Sequence, residues 1–167
     1  ARTYQYDPSP GRHTRGSLGM GAASLSPEEK ATGEGTGDRD ARSTSMYDIR
    51  NSSGHCSFTG MGWVPKGAEV QQINAITGFD YDDEQAFHLG QRIYLMRHSF
   101  NIREGLRRKD FTTSKRIISG DPPFNGPHSG IRVQNEKLAD GFFKAMGINP
   151  ETFIPNKEKL EELGGLD

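Results

Sequence analysis

Asp82-Asp83-Glu84-Gln85-Ala86-Phe87-His88-Leu89-Gly90-Gln91-Arg92-Ile93-Tyr94-Leu95-Met96-Arg97-His98-Ser99-Phe100 is the longest regular stretch of the chain. Ala86, Leu89, Ile93, Met96 and Phe100 recur at alternating spacings of three and four, the period of a helix with one apolar stripe. Asp82 or Asp83 is the expected N-cap, because a short acceptor side chain satisfies the open amides of a first turn. Phe87 and Tyr94 widen the stripe, which predicts a helix lying between two packed surfaces.

The neighbouring segments read the same way. Upstream, Pro65 opens a helix with Val70, Ile73 and Ile76 on one side, closed by Gly78. Downstream, Asp121-Pro122-Pro123 and Gly126-Pro127 break the chain. Asn135 is the expected cap of a helix carrying Leu138, Phe142, Phe143 and Met146, with Gly147 at its end. Asn156 starts a last short helix with Leu160 and Leu163, stopped by Gly164. No alternating strand pattern and no internal repeat is visible. The predicted class is mainly α.

Residues 1–55 differ. They contain no Val, Phe or Trp, and Ser24–Ser45 is rich in Gly, Ser, Thr and charge. Such a segment is either disordered or a long loop region held down by something larger. The expected organisation is therefore a loop-rich segment over 1–60 and a helical domain over 61–167.

The totals agree with a dependent chain. Of 167 residues only 32% are hydrophobic and 21 are Gly, and mean hydropathy is -0.77. That is little apolar surface to offset the entropy of ordering. The 21 basic and 22 acidic side chains leave a formal charge of -1, so no global field favours nucleic acid or an anionic membrane. Arg103, Arg107, Arg108, Lys109, Lys115 and Arg116 form a basic cluster, but without aromatic interleaving or a reader motif. A solvated helix end or ion pairs explain it better.

The apolar runs are too short for a membrane span. A single cysteine, Cys56, forms no internal disulfide, and with no apolar leader a reducing cytoplasm is the expected compartment. Ala1 in first place suggests a processed or partial product. Asp80, Asp82, Asp83 and Glu84 lack the alternation of a calcium loop, and His88 and His98 are ten apart and do not make a metal pair.

Several stretches occur together in an order that resembles the aldehyde:ferredoxin oxidoreductase family of tungsten or molybdenum pterin enzymes. They are Asn74-Ala75-Ile76-Thr77-Gly78-Phe79-Asp80 with Gly90-Gln91-Arg92-Ile93-Tyr94, then Phe100-Asn101-Ile102-Arg103-Glu104-Gly105 with Arg108-Lys109-Asp110. Gly126-Pro127-His128-Ser129-Gly130 follows, then Met146-Gly147-Ile148-Asn149 and Glu158-Lys159-Leu160-Glu161-Glu162-Leu163-Gly164. In that family such stretches lie in the helical C-terminal portion, and from about Ala68 onward they identify a relative rather than a chemistry.

The resemblance also implies a site. Asn51-Ser52-Ser53-Gly54-His55-Cys56 stands where the family has Asp-x-x-Gly-Leu-Cys, whose Cys is the last of four ligands to a [4Fe–4S] cluster. The other three come from a CxxCxxxC segment, which would belong to the remaining N-terminal part of the enzyme. Asn51 removes a charge from the family's pattern, and His55 adds a titratable ring. By residue type alone a lone Cys reads as a small buried hydrophobe.

Earlier, Tyr6-Asp7-Pro8-Ser9-Pro10-Gly11-Arg12-His13-Thr14-Arg15-Gly16 resembles a family loop with a His near the metal and a basic residue near the pterin. Carried over, His13 is the acid/base candidate, Arg15 the pterin contact, Asn51 and His55 further cofactor neighbours, and Cys56 one iron ligand.

The implied function is oxidation of an aldehyde to a carboxylic acid by a bis-pterin tungsten (or molybdenum) centre. Electrons would leave through the cluster to ferredoxin or an electron-transfer subunit. Two alternatives stay open: an aromatic acyl-CoA reductase of the same superfamily, and a non-catalytic helical interaction module.

Overall fold

Small and polar side chains, rather than large apolar ones, let the longest early helix reach the centre of the molecule. The computed structural model describes residues 1–12, 25–33, 35–56, 65, 67–118, 125–126 and 129–164. Its helices are α1 (Arg2–Tyr6), α2 (Pro27–Thr32), α3 (Gly37–Ser52), α4 (Ala68–Thr77), α5 (Asp83–Arg103), α6 (Lys115–Ile118), α7 (Asn135–Ala145) and α8 (Lys157–Leu163), with a 3-10 turn at Arg108–Asp110. Among the described residues the one strand-like pairing is an isolated bridge between Ile148 and Pro155. The fold is mainly α, as the periodicity predicts.

The expected loop-rich character of the leading segment is corrected by α3, a helix of 16 residues that packs chiefly on α5 and α7. Its buried face is Asp40, Ala41, Thr44, Ser45, Asp48 and Ile49, with hardly a large apolar residue. Three features replace hydrophobic bulk. Arg2 pairs with Asp40, at 2.7 Å from Nε to Oδ2, and donates to Thr44 Oγ1 at 2.9 Å. Arg97 pairs with Asp48. Backbone contacts at Gly37 and Gly90 bring α7 and α5 close. Ser26 and Glu29 form a capping box at the start of α2, so this short helix is also locally encoded.

The main core joins both ends of the chain. Tyr6, Ala41, Tyr94, Leu95, Phe111, Ala139, Phe142, Phe143, Met146, Ile148 and Phe153 are all buried in it. Each large side chain here contributes roughly 1.5–3 kcal/mol by leaving water. The rings meet edge-on, as at Tyr6 on Phe143 and Tyr94 on Phe142, both 5.3 Å between centroids. A second cluster of Ile49, Val70 and Ala86, flanked by Ile73, Leu89 and Ile93, joins α3, α4 and α5.

α5 therefore lies between two packed surfaces, as expected, but its buried face is turned. Ala86, Gly90, Gln91, Tyr94, Leu95 and His98 are buried, whereas Met96 and Phe100 are 53% and 54% exposed. Asp82 is the cap: its Oδ1 accepts from Glu84 N and Gln85 N at 2.9 and 2.8 Å, and Gln85 Oε1 accepts from Asp82 N. Asn135 is not the cap of α7. Gln134 holds that place, and Asn135 is buried, donating Nδ2–H to Gln5 Oε1. In α4 Val70 is buried and Ile73 half-buried, while Ile76 is 83% exposed.

Candidate site at the end of helix α3

α3 ends where its last carbonyls are taken up by a tight turn. Ser53 N donates to Ile49 O at 2.8 Å and His55 N to Arg50 O at 3.1 Å, with Gly54 between them at φ 78°. That left-handed backbone suits glycine. Cys56 follows directly and is exposed. The plain reading of a small buried hydrophobe is thereby replaced by a thiol at the surface.

His55 does not swing freely beside it. Nδ1 is 2.6 Å from Ser53 Oγ, and Nε2 is 2.7 Å from Gln72 Oε1, an oxygen to which Nε2–H donates. The ring is thus pinned between the α3 turn and α4. Arg50 Nε donates to Glu69 Oε1 at 2.5 Å and its guanidinium lies over Tyr47, which fastens the same two helices. Between them is an apolar cavity of about 260 Å³ lined in part by Ile49, His55, Ile73, Leu89 and Ile93. Asn51 is half-buried on the last turn of α3.

His13 and Arg15 lie outside the described residues. The segment leading to them is described, and it is held firmly by α5. Tyr94 Oη donates to Tyr6 O at 3.1 Å, Arg97 Nη2 to Asp7 Oδ1 at 2.8 Å, and Asn101 Nδ2 to Pro8 O at 2.8 Å. Arg97 Nη1 also donates to both oxygens of Asp48, at 3.0 and 3.2 Å. Burial opposes the charge on Arg97, but Asp48 and Asp7 outweigh it and raise its pKa. Burial raises the Tyr94 phenol as well, so it stays a neutral donor.

These clamp residues were not among the sequence candidates. Their partners stand 90 and 49 positions away, and no local spacing betrays them. Arg108 is the one member of the basic cluster drawn into the core region. It donates to Glu136 Oε2 at 2.6 Å and to Pro150 O at 2.7 Å, and lies over Tyr6 and Phe143. Among the described residues no three His, Cys, Asp or Glu side chains gather where a metal ion would fit. Cys56 is the one cysteine of the chain, and its sulfur is exposed.

The helical body and the exposed Cys56 on its glycine turn match a known family in sequence. The chain belongs to the aldehyde ferredoxin oxidoreductase family, whose model for domains 2 and 3 matches residues 1–164. The tungsten-containing aldehyde ferredoxin oxidoreductase of Pyrococcus furiosus is 35% identical over 117 residues, covering 68% of this chain and 18% of that protein. Its counterpart from Thermococcus kodakarensis is 33% identical over the same length and shares. Among solved structures, the active site complex BamBC of benzoyl coenzyme A reductase, in complex with 1,5-dienoyl-CoA, aligns with a TM-score of 0.55. It is 27% identical and covers 76% of this chain and 18% of that one.

The alignments thus take in 18% of the length of these relatives. No helix among the described residues is long and apolar enough to cross a membrane.

Proposed function

We propose that the chain is the C-terminal part of a tungsten (or molybdenum) bis-pterin, iron–sulfur oxidoreductase that oxidises aldehydes to carboxylic acids. The overall change is RCHO + H2O → RCOOH + 2 H⁺ + 2 e⁻, with the electrons passed one at a time to ferredoxin or an electron-transfer subunit. The observation that carries the reading is Cys56: an exposed thiol on a glycine turn at the end of α3, in a member of this family.

The donor chemistry fits. A soft thiolate suits iron in a sulfide cluster, and exposure leaves the sulfur accessible to ligands brought by another segment. When bound, the pterin-held metal supplies two-electron oxidation and the cluster a one-electron exit. Cys56 would hold one iron, with the remaining N-terminal part of the enzyme giving the other three thiolates. Asn51, through its amide, and Arg15, through its guanidinium, would hydrogen-bond the pterin. His55, fixed by Ser53 and Gln72, would form a rigid wall beside the sulfur. His13 would carry the proton on an imidazole nitrogen near neutral pH. A reducing, cytoplasmic setting suits such thiolates.

The test is made on the full-length enzyme. Metal analysis should find tungsten or molybdenum together with iron, and an aldehyde should reduce ferredoxin. Active native enzyme without any of these metals ends the reading.

A second reading has its own support. The likeness to the benzoyl coenzyme A reductase complex, together with Asn51 and His55 in place of the family's Asp and Leu, favours reduction of an aromatic acyl-CoA. Assaying both substrate classes on the same preparation separates the two.

A further inference from the structure

On one face of α5, Tyr94, Arg97 and Asn101 stand at intervals of three and four, so their side chains project in one row. That row grips consecutive residues from the last one of α1 onward. Tyr94 Oη holds Tyr6 O at 3.1 Å, Arg97 Nη2 holds Asp7 Oδ1 at 2.8 Å and Ser9 Oγ at 3.4 Å, and Asn101 Nδ2 holds Pro8 O at 2.8 Å. The other nitrogen of the Arg97 fork reaches Asp48 in α3, two turns ahead of Cys56.

Two buried carboxylates thus converge on one guanidinium. Asp7 and Asp48 are 0% and 1% exposed, and Asp7 Oδ2 has no partner. Without the guanidinium the two acids would repel each other in a poorly solvated setting. The planar fork is also the one side chain that fixes two carboxylates in a set direction.

We infer that Arg97 is a positioning residue: it fixes the segment Asp7–Ser9 against α3, and so sets the register between that segment and the Cys56 turn. The inference rests on the redox reading above, because register matters only if both segments face one cofactor assembly. A displacement on the order of 1 Å in such an assembly lowers a rate by as much as a hundredfold.

Three variants of the full-length enzyme test it. Arg97→Lys keeps the charge and loses the fork. Asn101→Ala releases Pro8 O and strands no charge. Arg97→Gln takes the guanidinium from both acids, and serves as the case in which folding itself suffers. Metal content, unfolding temperature, kcat and KM are measured, with amide exchange over residues 7–11 and the electron paramagnetic resonance spectrum of the reduced cluster.

The expected result for Arg97→Lys and Asn101→Ala is full metal content, faster exchange over residues 7–11 and an altered cluster spectrum. Their kcat should fall about tenfold at unchanged KM, with Asn101→Ala the milder. A lowered unfolding temperature with kcat per metal centre and the spectrum both unchanged overturns the inference and leaves the redox reading intact. Wild-type enzyme lacking tungsten, molybdenum and iron sinks the redox reading, and this inference with it.

Discussion

Gly90 of α5 lies against the backbone of Ser45 in α3 so closely that a β-carbon at residue 90 would overlap the Ser45 carbonyl. The two helices meet through backbone rather than side chains at this point. That contact explains how a helix poor in large apolar residues comes to sit in the middle of the fold.

The same geometry separates three glycines. Gly90→Ala must push α3 and α5 apart, and overpacking of this kind costs roughly 1–3 kcal/mol or more. Gly37→Ala strikes the Gly141 carbonyl in the same way, whereas a β-carbon on Gly141 comes no nearer than 3.7 Å to Gly37. We therefore expect Gly90→Ala and Gly37→Ala to lower the opening free energy of α3, and Gly141→Ala to leave it nearly unchanged. Amide exchange on the full-length enzyme reads this directly. Equal effects at all three positions would contradict it.

Arg2 and Asp40 form a nearly solvent-free pair, with the guanidinium also 3.7 Å from the Phe142 ring centre. Removing one partner of such a pair leaves a buried charge alone. Asp40→Asn is expected to destabilise by about 3–5 kcal/mol. Lys157→Gln, which breaks the exposed Lys157–Glu161 pair, should change stability by less than about 1 kcal/mol. Denaturant unfolding of both variants checks the contrast.

His98 gives a pH dependence. It is buried, its Nε2 faces Phe153 O at 2.9 Å, and burial lowers its pKa despite that bond. The unfolded chain takes up this proton near the ordinary value of 6.5, and the folded one only at lower pH. The stability His98 gives is therefore present above pH 6.5 and is lost as pH falls toward the lowered native pKa. The slope reaches at most about 1.4 kcal/mol per pH unit. His98→Gln should flatten it. A wild-type enzyme more stable below that window than above it would have the sign wrong.

Much of the helical body could be read from sequence, because α5 carries its own cap and α4, α7 and α8 carry apolar periodicity and a closing glycine. Asp82, Gly78 and Gly164 fall where local chemistry puts them. α3 escaped because its inner face is Asp40, Thr44, Ser45 and Asp48, which read as solvated until Arg2 and Arg97 are placed beside them. Met96 and Phe100 misled in the opposite sense, since hydrophobic periodicity does not say which of two apolar rows will be covered. In the candidate site, Cys56 stands out in the sequence through its place in a family pattern. Arg97 does not, because its role depends on two acids distant in sequence.

One sulfur decides the redox reading, and its accessibility can be measured. Native full-length enzyme is treated with iodoacetamide before and after the iron is stripped by oxidation and chelation, and Cys56 is quantified by peptide mass analysis. Cys56 should resist alkylation while iron is bound and be modified once it is removed. Ready alkylation of Cys56 in the iron-replete, active enzyme would contradict the redox reading.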